Sequence, residues 1–277
     1  GKYQIQGKLG EGATSEVYLC RDDFHDRHVA IKRVRSSALS DAVDGPVYAR
    51  FFAAEAALVG RLQHPNVVHI YDAVPDPTSP YVVMEYVPGT TLRAFCRPDQ
   101  LLPLELIVEI GFKCAMALGY VYRQGLIHRD VKPANILALV NDAGAVTDVK
   151  ISDFGSVLNL TAESTQIHQV GSLAYMAPEQ LDGEVPDGLG AVLYHLIAGR
   201  PPFEASSQAV LMNQIYNQMP TALSGLRSGV NSAVDEVVLK ALAKDPKDRY
   251  PNWDAFAQAL SGLIADHQVP RGHLQGV

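Results

Sequence analysis

The chain has 277 residues and a formal net charge of −7, with 47% hydrophobic and 19% charged residues. This composition is typical of a globular protein with a substantial core, and it excludes an intrinsically disordered chain. The acidic balance argues against a nucleic-acid partner, because proteins that contact phosphodiester backbones are normally basic.

The cysteines and the chain start bear on location. Cys20, Cys96 and Cys114 lie far apart and include no CxxC pair, which predicts reduced thiols rather than a disulfide framework or a zinc site. No signal-peptide pattern opens the sequence, and no apolar run reaches the ~18 residues of a membrane-spanning helix. We therefore expect a cytoplasmic location, with no membrane contact in this part of the chain. That expectation also covers the case in which the chain is the cytoplasmic domain of a membrane-anchored protein.

The first part of the chain has the pattern of strands with one helix. Runs rich in β-branched and aromatic residues predict strands at 3–9, 17–20, 29–34, 67–73 and 81–86. Apolar residues at helical spacing predict a helix over Pro46–Gln63, with Glu55 on its apolar side.

From Leu104 onward the pattern becomes helical. Apolar spacing predicts helices over 106–122, 189–198, 206–218, 234–244 and 253–264. A short linker at 87–89 separates the two parts. We therefore predict an α+β chain with a small strand-rich lobe, residues 1–87, and a larger, mainly helical lobe, residues 88–277.

Two glycines, Gly10 and Gly12, lie between two predicted strands. Glycine lets the backbone approach an anionic ligand closely and turn its N–H groups toward it. The pattern alone is common, and an ordinary hairpin turn accounts for it equally well. A dinucleotide-binding loop is disfavoured because a strand, rather than a helix, follows the glycines.

Two oppositely charged residues occupy apolar positions. Lys32 lies in the predicted strand 29–34, and Glu55 lies on the apolar side of the following helix. A buried charge is costly unless it is paired, so the two positions together predict one ion pair. Such a pair would hold Lys32 toward the α- and β-phosphates of a nucleotide.

The segment from His128 to Asn135 carries the strongest chemical signal in the chain. Asp130 is expected to orient or accept the proton of an attacking hydroxyl, and Lys132 to neutralise charge on a transferred phosphoryl group. Asn135, and Asp153 after the next strand, supply oxygen ligands for a hard cation such as Mg²⁺. This ordered set predicts phosphoryl transfer, which depends on alignment and charge stabilisation.

The ordered motifs resemble the eukaryotic-like (Hanks-type) serine/threonine protein kinase domain, most closely its bacterial branch. The resemblance runs from Tyr3 to about Leu263 and implies the bilobal protein kinase fold. That fold has a small antiparallel-sheet N-lobe with one key helix and a larger, mainly helical C-lobe. The motifs are Gly10-x-Gly12, Val29-Ala30-Ile31-Lys32, Glu55, His128-Arg129-Asp130, Asn135, Asp153-Phe154-Gly155 and Ala177-Pro178-Glu179.

The resemblance also implies roles for individual residues. Catalytic positions are matched by Asp130, Lys132, Lys32 and Glu55, and metal-binding positions by Asn135 and Asp153. Nucleotide-binding positions are matched by Gly10, Gly12, Val17, Ala30, Lys32, Met84, Glu85, Val87 and Leu137. A stack of side chains that aligns in active kinases is matched by Val59, Ile70, His128 and Phe154, and a structural ion pair by Arg249 and Glu179. The implied cofactors are ATP and Mg²⁺, with Mn²⁺ as an alternative ion.

The resemblance further implies protein substrates with Ser or Thr acceptors, because Lys132 and Pro133 follow Asp130 in the Ser/Thr-specific pattern. Arg129 beside Asp130 predicts activation by autophosphorylation of the loop after Asp153, since a buried arginine favours an anion. The candidate sites are Thr161, Ser164 and Thr165. Some family members form homodimers through the small lobe, and we expect the same option here.

One segment departs from the family pattern. Between Asp187 and Gly188 the chain is about six residues short of the family spacing, and the skipped part would contain the start of a central helix and an aspartate that holds the catalytic loop. A genuine deletion would weaken that loop. An omission from the printed sequence is the alternative, which we favour because Ala191–Pro202 continues in the family pattern.

Three functions are compared. The leading prediction is an active ATP-dependent serine/threonine protein kinase. A pseudokinase, meaning a nucleotide-binding or scaffold module without efficient transfer, normally lacks Lys32, Asp130 or Asp153, and all three are present. A small-molecule phosphotransferase of the same architecture would lack the activation segment that ends in Ala177-Pro178-Glu179.

Overall fold

The computed structural model describes residues 2–12, 14–41, 44–156, 158–159, 173–177 and 188–266. The strands in these ranges are β1 (Tyr3–Glu11), β2 (Ser15–Asp22), β3 (Arg27–Val34), β4 (Ile70–Val74), β5 (Tyr81–Glu85), β6 (Gly89–Thr91), β7 (Leu126–Ile127), β8 (Ile136–Val140), β9 (Val146–Ile151) and β10 (Leu158–Asn159). The helices are α1 (Ser36–Leu39), α2 (Gly45–Ala56), α3 (Leu104–Arg123), α4 (Leu189–Ala198), α5 (Gln208–Asn217), α6 (Ser232–Ala241) and α7 (Trp253–Ala265).

The N-terminal part is a five-stranded antiparallel sheet in the order β1-β2-β3-β5-β4, with α2 packed against β4 and β5. Its central strand β3 pairs Lys32 with Val17 of β2 and with Val82 of β5. Val29 and Ile31 of β3 are buried with Cys20 and Val83 in a small cluster of the sheet. Alternation along the strand therefore assigns Lys32 to the opposite face.

Helix α2 ends at Ala56, seven residues before the end that periodicity predicts. After Ala56 the backbone turns more tightly, as the Leu58 N–H donates to the Glu55 carbonyl. Gly60 then adopts φ +68°, and its N–H donates to the carbonyl of Ile70 in β4. This tertiary hydrogen bond ends the helix, although the apolar spacing continues to Gln63.

The C-terminal part is mainly helical and contains the larger core. α3 packs against α4 and α7, and eight of the ten residues of α4 are buried. Gly119 permits the close approach of α3 and α7, because a Cβ there would lie 3.0 Å from the Cβ of Trp253. Strands β6, β8 and β9 form a small sheet above these helices, and it carries the segments that follow Asn135 and precede Asp153.

The α+β, bilobal architecture expected from the sequence is confirmed. A cavity of about 640 Å³ lies at the base of the helical part, and its lining includes Ala177, Gly188, Trp253 and Lys244. Residues 178–187, where the sequence is short of the family spacing, lie outside the described part of the chain. Among the described helices, none combines the length and the apolarity that crossing a membrane requires.

Candidate active site

Three charged side chains from three separate elements meet at the inner face of the first sheet. Lys32 Nζ donates to both carboxylate oxygens of Glu55, at 3.2 and 3.0 Å, and to Asp153 Oδ1 at 3.0 Å. β3 supplies the lysine, the last turn of α2 supplies the glutamate, and the segment after β9 supplies the aspartate. The predicted Lys32–Glu55 pair is thus present and extends to Asp153.

Burial and charge act in opposite directions on this cluster. Burial disfavours the ammonium of Lys32, but the carboxylates of Glu55 and Asp153 outweigh it and raise the pKa of the lysine. Burial raises the pKa of Glu55, against the opposing effect of Lys32. Burial also acts to raise the pKa of Asp153, but Lys32 outweighs it, so this pKa is lowered. The cluster thus holds a cation between two carboxylates, a suitable position for contact with phosphates.

The catalytic-loop segment is fixed by hydrogen bonds to the strand that precedes Asp153. His128 is fully buried, its Nε2 lies 2.8 Å from the Ser152 carbonyl, and its Nδ1 accepts the Asp130 N–H at 3.2 Å. Together these contacts require a neutral imidazole protonated at Nε2. Arg129 adopts φ +66°, and its Nε donates to the Ser156 carbonyl at 2.8 Å. These hydrogen bonds hold the backbone of the loop in place beside the site.

Asp130 lies where two neighbours can hold its carboxylate. Lys132 Nζ lies 3.1 Å from Asp130 Oδ2, and Asn135 Nδ2 donates to the same oxygen at 3.0 Å and to the Asp130 carbonyl at 2.9 Å. These donors orient the carboxylate through its Oδ2 oxygen. The arrangement suits a group that positions and deprotonates an acceptor alcohol.

The two proposed metal ligands are joined through Ser152. Its N–H and its hydroxyl both donate to the Asn135 carbonyl, at 2.9 and 3.1 Å, and Asp153 is the next residue. Because the Asn135 amide nitrogen bonds to Asp130, its amide oxygen faces away from that residue. An amide oxygen and a carboxylate fit Mg²⁺, which is bound in such sites by one or two protein oxygens together with substrate phosphates. Within the described residues, no three His, Cys, Asp or Glu side chains form a self-sufficient metal site.

The glycine loop leaves room above the site. A Cβ at Gly10 would meet nothing within 4 Å, and at Gly12 it would meet Ser15 only at 3.7 Å or beyond. The chain itself therefore does not require glycine here, and the absence of side chains fits the close approach of a ligand. The loop is closed by a hydrogen bond from Gly12 N–H to the Ser15 carbonyl at 2.8 Å.

The residues expected around an adenine ring come from neighbouring strands. Ala30 of β3 is paired with Met84 of β5, and Val17 of β2 lies beside Lys32. Glu85 ends β5, and Val87 follows in the connection to β6. Leu137 lies on β8, paired with Thr91. Strand pairing thus brings Ala30 and Met84 together on the first sheet, with Val17 beside Lys32, whereas Leu137 lies on the second sheet.

Direct contacts are seen for part of the predicted stack of side chains. The rings of His128 and Phe154 meet edge to face, with centroids 4.8 Å apart. Phe154 and Ile70 belong to the main core, and Val59 packs against it. Thr161, Ser164, Thr165 and Glu179 lie outside the described residues. Arg249, expected to pair with Glu179, donates to the carbonyls of Ala243 and Lys244 at 2.6 and 3.2 Å.

Sequence reasoning missed the contacts that hold β9. Asn66 is buried, and its Nδ2 donates to Asp148 Oδ1 at 2.9 Å and to the Val149 carbonyl at 2.8 Å. Asp148 also binds Lys113 of α3 at 3.0 Å. On the same strand, Lys150 binds Glu85 at 2.9 Å. The available signal was the alternation of charged and apolar residues along β9, which is equally typical of a solvent-facing strand.

Comparisons with known proteins match nearly the whole chain. The family model described as "Protein kinase domain" matches residues 3–260. The serine/threonine-protein kinase PknB of Mycobacterium leprae is 38% identical over 280 residues, which cover 96% of this chain and 43% of that protein. The Mycolicibacterium smegmatis protein of the same name is 36% identical over 281 residues, with the same two coverages. The chain thus spans less than half the length of these curated relatives.

A solved structure shows the same fold. The crystal structure of the Mycobacterium tuberculosis PknI kinase domain superposes with a TM-score of 0.69 and 27% sequence identity. The match covers 95% of this chain and 96% of that one. The likeness in fold therefore extends over both parts of the molecule.

Proposed function

Since the chain belongs to the protein kinase domain family, we propose that it transfers the γ-phosphoryl group of ATP to serine or threonine hydroxyls of protein substrates. The observation that carries the proposal is the position of Lys32, bonded at once to Glu55 and to Asp153. A buried ion pair seldom adds stability, so stability alone does not explain why Glu55 is buried beside Lys32. A role of Lys32 in ligand binding does explain it.

The nucleotide is proposed to bind between the two sheets. Lys32 contacts the α- and β-phosphates, and Glu55 keeps its ammonium in place. Gly10 and Gly12 cover the phosphates from above. The backbone of Glu85 and Val87 hydrogen-bonds the adenine, and its apolar surroundings are Val17, Ala30, Met84 and Leu137. Residues 1–87 then form the nucleotide-binding lobe, and residues 88–277 carry the catalytic loop, activation segment and substrate groove.

Asn135 and Asp153 are proposed to hold the divalent ion, Mg²⁺ with Mn²⁺ as an alternative. When bound, such an ion neutralises the charge of the β- and γ-phosphates. Asp130 orients the acceptor hydroxyl and takes its proton as the new bond from the hydroxyl oxygen to the γ-phosphorus forms; the bond from the γ-phosphorus to the β-phosphate oxygen breaks, and ADP leaves. Lys132 stabilises the negative charge on the phosphoryl group in transfer.

Three further proposals concern partners and location. Autophosphorylation of the loop at Thr161, Ser164 or Thr165 would supply the anion that Arg129 favours. A homodimer would form through the first sheet, where Phe24 at the β2–β3 turn is 85% exposed. We place the chain in the cytoplasm, as a free enzyme or as the catalytic part of a membrane-anchored one.

The test is transfer of radiolabel from [γ-³²P]ATP to the chain itself and to casein, followed by phosphoamino-acid analysis. Wild type is expected to label serine and threonine, whereas Asp130→Asn is expected to lose at least about a hundredfold in rate. Arg33→Met, a change on the outer face of the same sheet, is the control and should label normally. Stabilisation of the fold by ATP without any transfer would support the pseudokinase instead.

A further inference from the structure

A second ion pair connects the strand that leads to Asp153 with the strand that leads to the adenine-binding connection. Lys150 Nζ lies 2.9 Å from Glu85 Oε1, and the two side chains are 15% and 25% exposed. Lys150 precedes Asp153 by three positions, and Glu85 is the last residue of β5. The pair therefore joins the two ends of the proposed nucleotide site across the junction of the two sheets.

Glu85 is held on its other side by the segment before β4. The second carboxylate oxygen of Glu85, Oε2, accepts a hydrogen bond from the His69 N–H at 3.2 Å. The backbone N–H of Glu85 donates to the His69 carbonyl at 2.8 Å. The carboxylate therefore has two partners, one neutral and one charged. Both hydrogen bonds are charge-assisted, because both reach a carboxylate, but the Lys150 contact is shorter, at 2.9 Å against 3.2 Å, and its donor carries a full positive charge, so Lys150 supplies the larger restraint on the carboxylate.

We propose that Lys150 is a positioning residue for nucleotide binding. Its ammonium fixes the Glu85 carboxylate, and this in turn fixes the backbone of Glu85, which presents its carbonyl to the adenine. Without Lys150, a mostly buried carboxylate lacks its counter-charge and rotates toward water, and the adenine contact loosens. The inference rests on the proposed function, because it takes the ligand to be a nucleotide.

The same strand offers a matched control. Lys113 Nζ lies 3.0 Å from Asp148, two residues before Lys150, and 2.8 Å from Glu109. This pair ties β9 to α3, and Asp148 and Glu109 are the partners of Lys113. Lys113→Met therefore removes a comparable, partly buried lysine from an ion pair with β9 and leaves the Lys150–Glu85 pair in place.

The experiment compares wild type with Lys150→Met, Lys150→Arg, Glu85→Gln, the double variant Lys150→Met/Glu85→Gln, and Lys113→Met. The readouts are KM for ATP, KM for casein, kcat, and the Kd of ATP by titration calorimetry. For Lys150→Met we expect KM and Kd for ATP to rise about five- to tenfold while kcat changes less than about twofold. Arginine at position 150 should restore most of the affinity, because it keeps the charge and reaches the same carboxylate.

The double variant should bind ATP no more weakly than the single variant with the larger loss of affinity, because the two substitutions remove the same interaction. Lys113→Met should leave the Kd of ATP within about twofold of wild type. An equal loss of ATP affinity in Lys113→Met and Lys150→Met would overturn the inference, as would an unchanged Kd in Lys150→Met. A wild-type chain that binds ATP but transfers nothing would refute the proposed function and leave the Kd comparison decisive.

Discussion

Two clusters of opposite charges lie on the two faces of one sheet, and consecutive residues of β3 belong to them. Lys32 points inward to Glu55 and Asp153, whereas Arg33 points outward to Glu16. The inner cluster comprises Lys32, Glu55 and Asp153. The outer cluster comprises Lys8, Glu11, Glu16, Arg33 and Arg35.

The two clusters share their chemistry and differ in their environment. The inner side chains of Glu55, Lys32 and Asp153 are 4%, 20% and 44% exposed, and the outer ones of Glu16, Arg35, Arg33 and Glu11 are 16%, 29%, 46% and 53% exposed, so the clearest difference lies at the fully buried Glu55. A buried ion pair gains little stability, because desolvation offsets attraction, and an exposed pair gains little, because water and salt screen it. We therefore propose that function explains the inner cluster and that local order of the sheet explains the outer one. The predictions below test that division.

The largest effect should come from the inner lysine. Lys32→Met removes the cation proposed for the phosphates, and we expect kcat/KM to fall by about 10²–10³-fold. Arg33→Met, one residue along the same strand, should change kcat/KM by less than about twofold. Steady-state kinetics of the two purified variants check this contrast. Similar losses in both variants would mean that the sheet, rather than the inner cluster, is being perturbed.

The next effect separates activity from stability. Glu55→Gln keeps the shape of the side chain but removes the charge that holds Lys32, so kcat should fall by about 10–100-fold. Because Lys32 keeps Asp153 as its counter-charge, and because the neutral amide avoids the desolvation cost that raises the pKa of Glu55, the free energy of unfolding should change by less than about 1 kcal/mol. Urea unfolding followed by circular dichroism measures the second quantity. A variant that loses stability and activity together would contradict a functional explanation of the inner cluster.

These two clusters also show how far the sequence alone could lead. Lys32 and Glu55 could be paired in advance, because each occupies an apolar position that is costly for an unpaired charge. Asp153 could be assigned to the site from its motif, but its direct bond to Lys32 depends on how β9 approaches β3. The strands of the first sheet and the helices α2 to α7 were predictable for the same reason, since their apolar periodicity reflects burial, although β4 begins at Ile70 rather than at Val67. The short elements α1, β6, β7, β8 and β10 were not predicted.

The contacts that the sequence did not reveal join polar residues far apart in the chain. Lys150 and Asp148 alternate with apolar residues along β9, a pattern that fits solvent exposure as well as ion pairing with β5 and α3. Likewise, the end of α2 depends on the bond between Gly60 and Ile70, which local spacing does not encode. Tertiary partners decide in each case, and a periodic pattern specifies a face without specifying what covers it.

A smaller effect should come from the outer cluster, at acid pH. Hydrogen bonds from Lys8, Tyr18 and Arg33 lower the pKa of Glu16 from 4.5 to about 2. A carboxylate with a lowered pKa stabilises the fold fully above its unfolded pKa, and the contribution disappears as pH falls through the folded pKa. Glu16→Gln should therefore lose less stability than wild type between pH 4.5 and about 2, while its activity at neutral pH is unchanged. Urea unfolding across that range tests this, and identical acid curves for the two proteins would refute the assignment.

The smallest effect concerns Lys244, which is buried like Lys32 but has different neighbours. Lys244 donates to the Ile215 carbonyl at 2.6 Å, lies 4.4 Å from the centre of the Phe203 ring, and feels the positive charge of Arg249. Burial, with the repulsion from Arg249, lowers its pKa from 10.5 to about 8, whereas carboxylates raise the pKa of Lys32. The folded chain thus binds fewer protons at Lys244 than the unfolded chain between pH 8 and 10.5. Stability should rise with pH over that window, and Lys244→Met should remove this part of the rise.

The direct measurement is competitive amine labelling with mass spectrometry across pH 7–11. The Lys244 amine should become reactive with a midpoint near pH 8, and Lys32 should remain unlabelled at that pH. Coincident midpoints for the two lysines would show that burial alone sets their behaviour, and the neighbouring carboxylates could then no longer explain why Lys32 keeps its charge at the site. Separate midpoints in the stated order would assign that charge to Glu55 and Asp153, the pair on which the proposed phosphate contact depends.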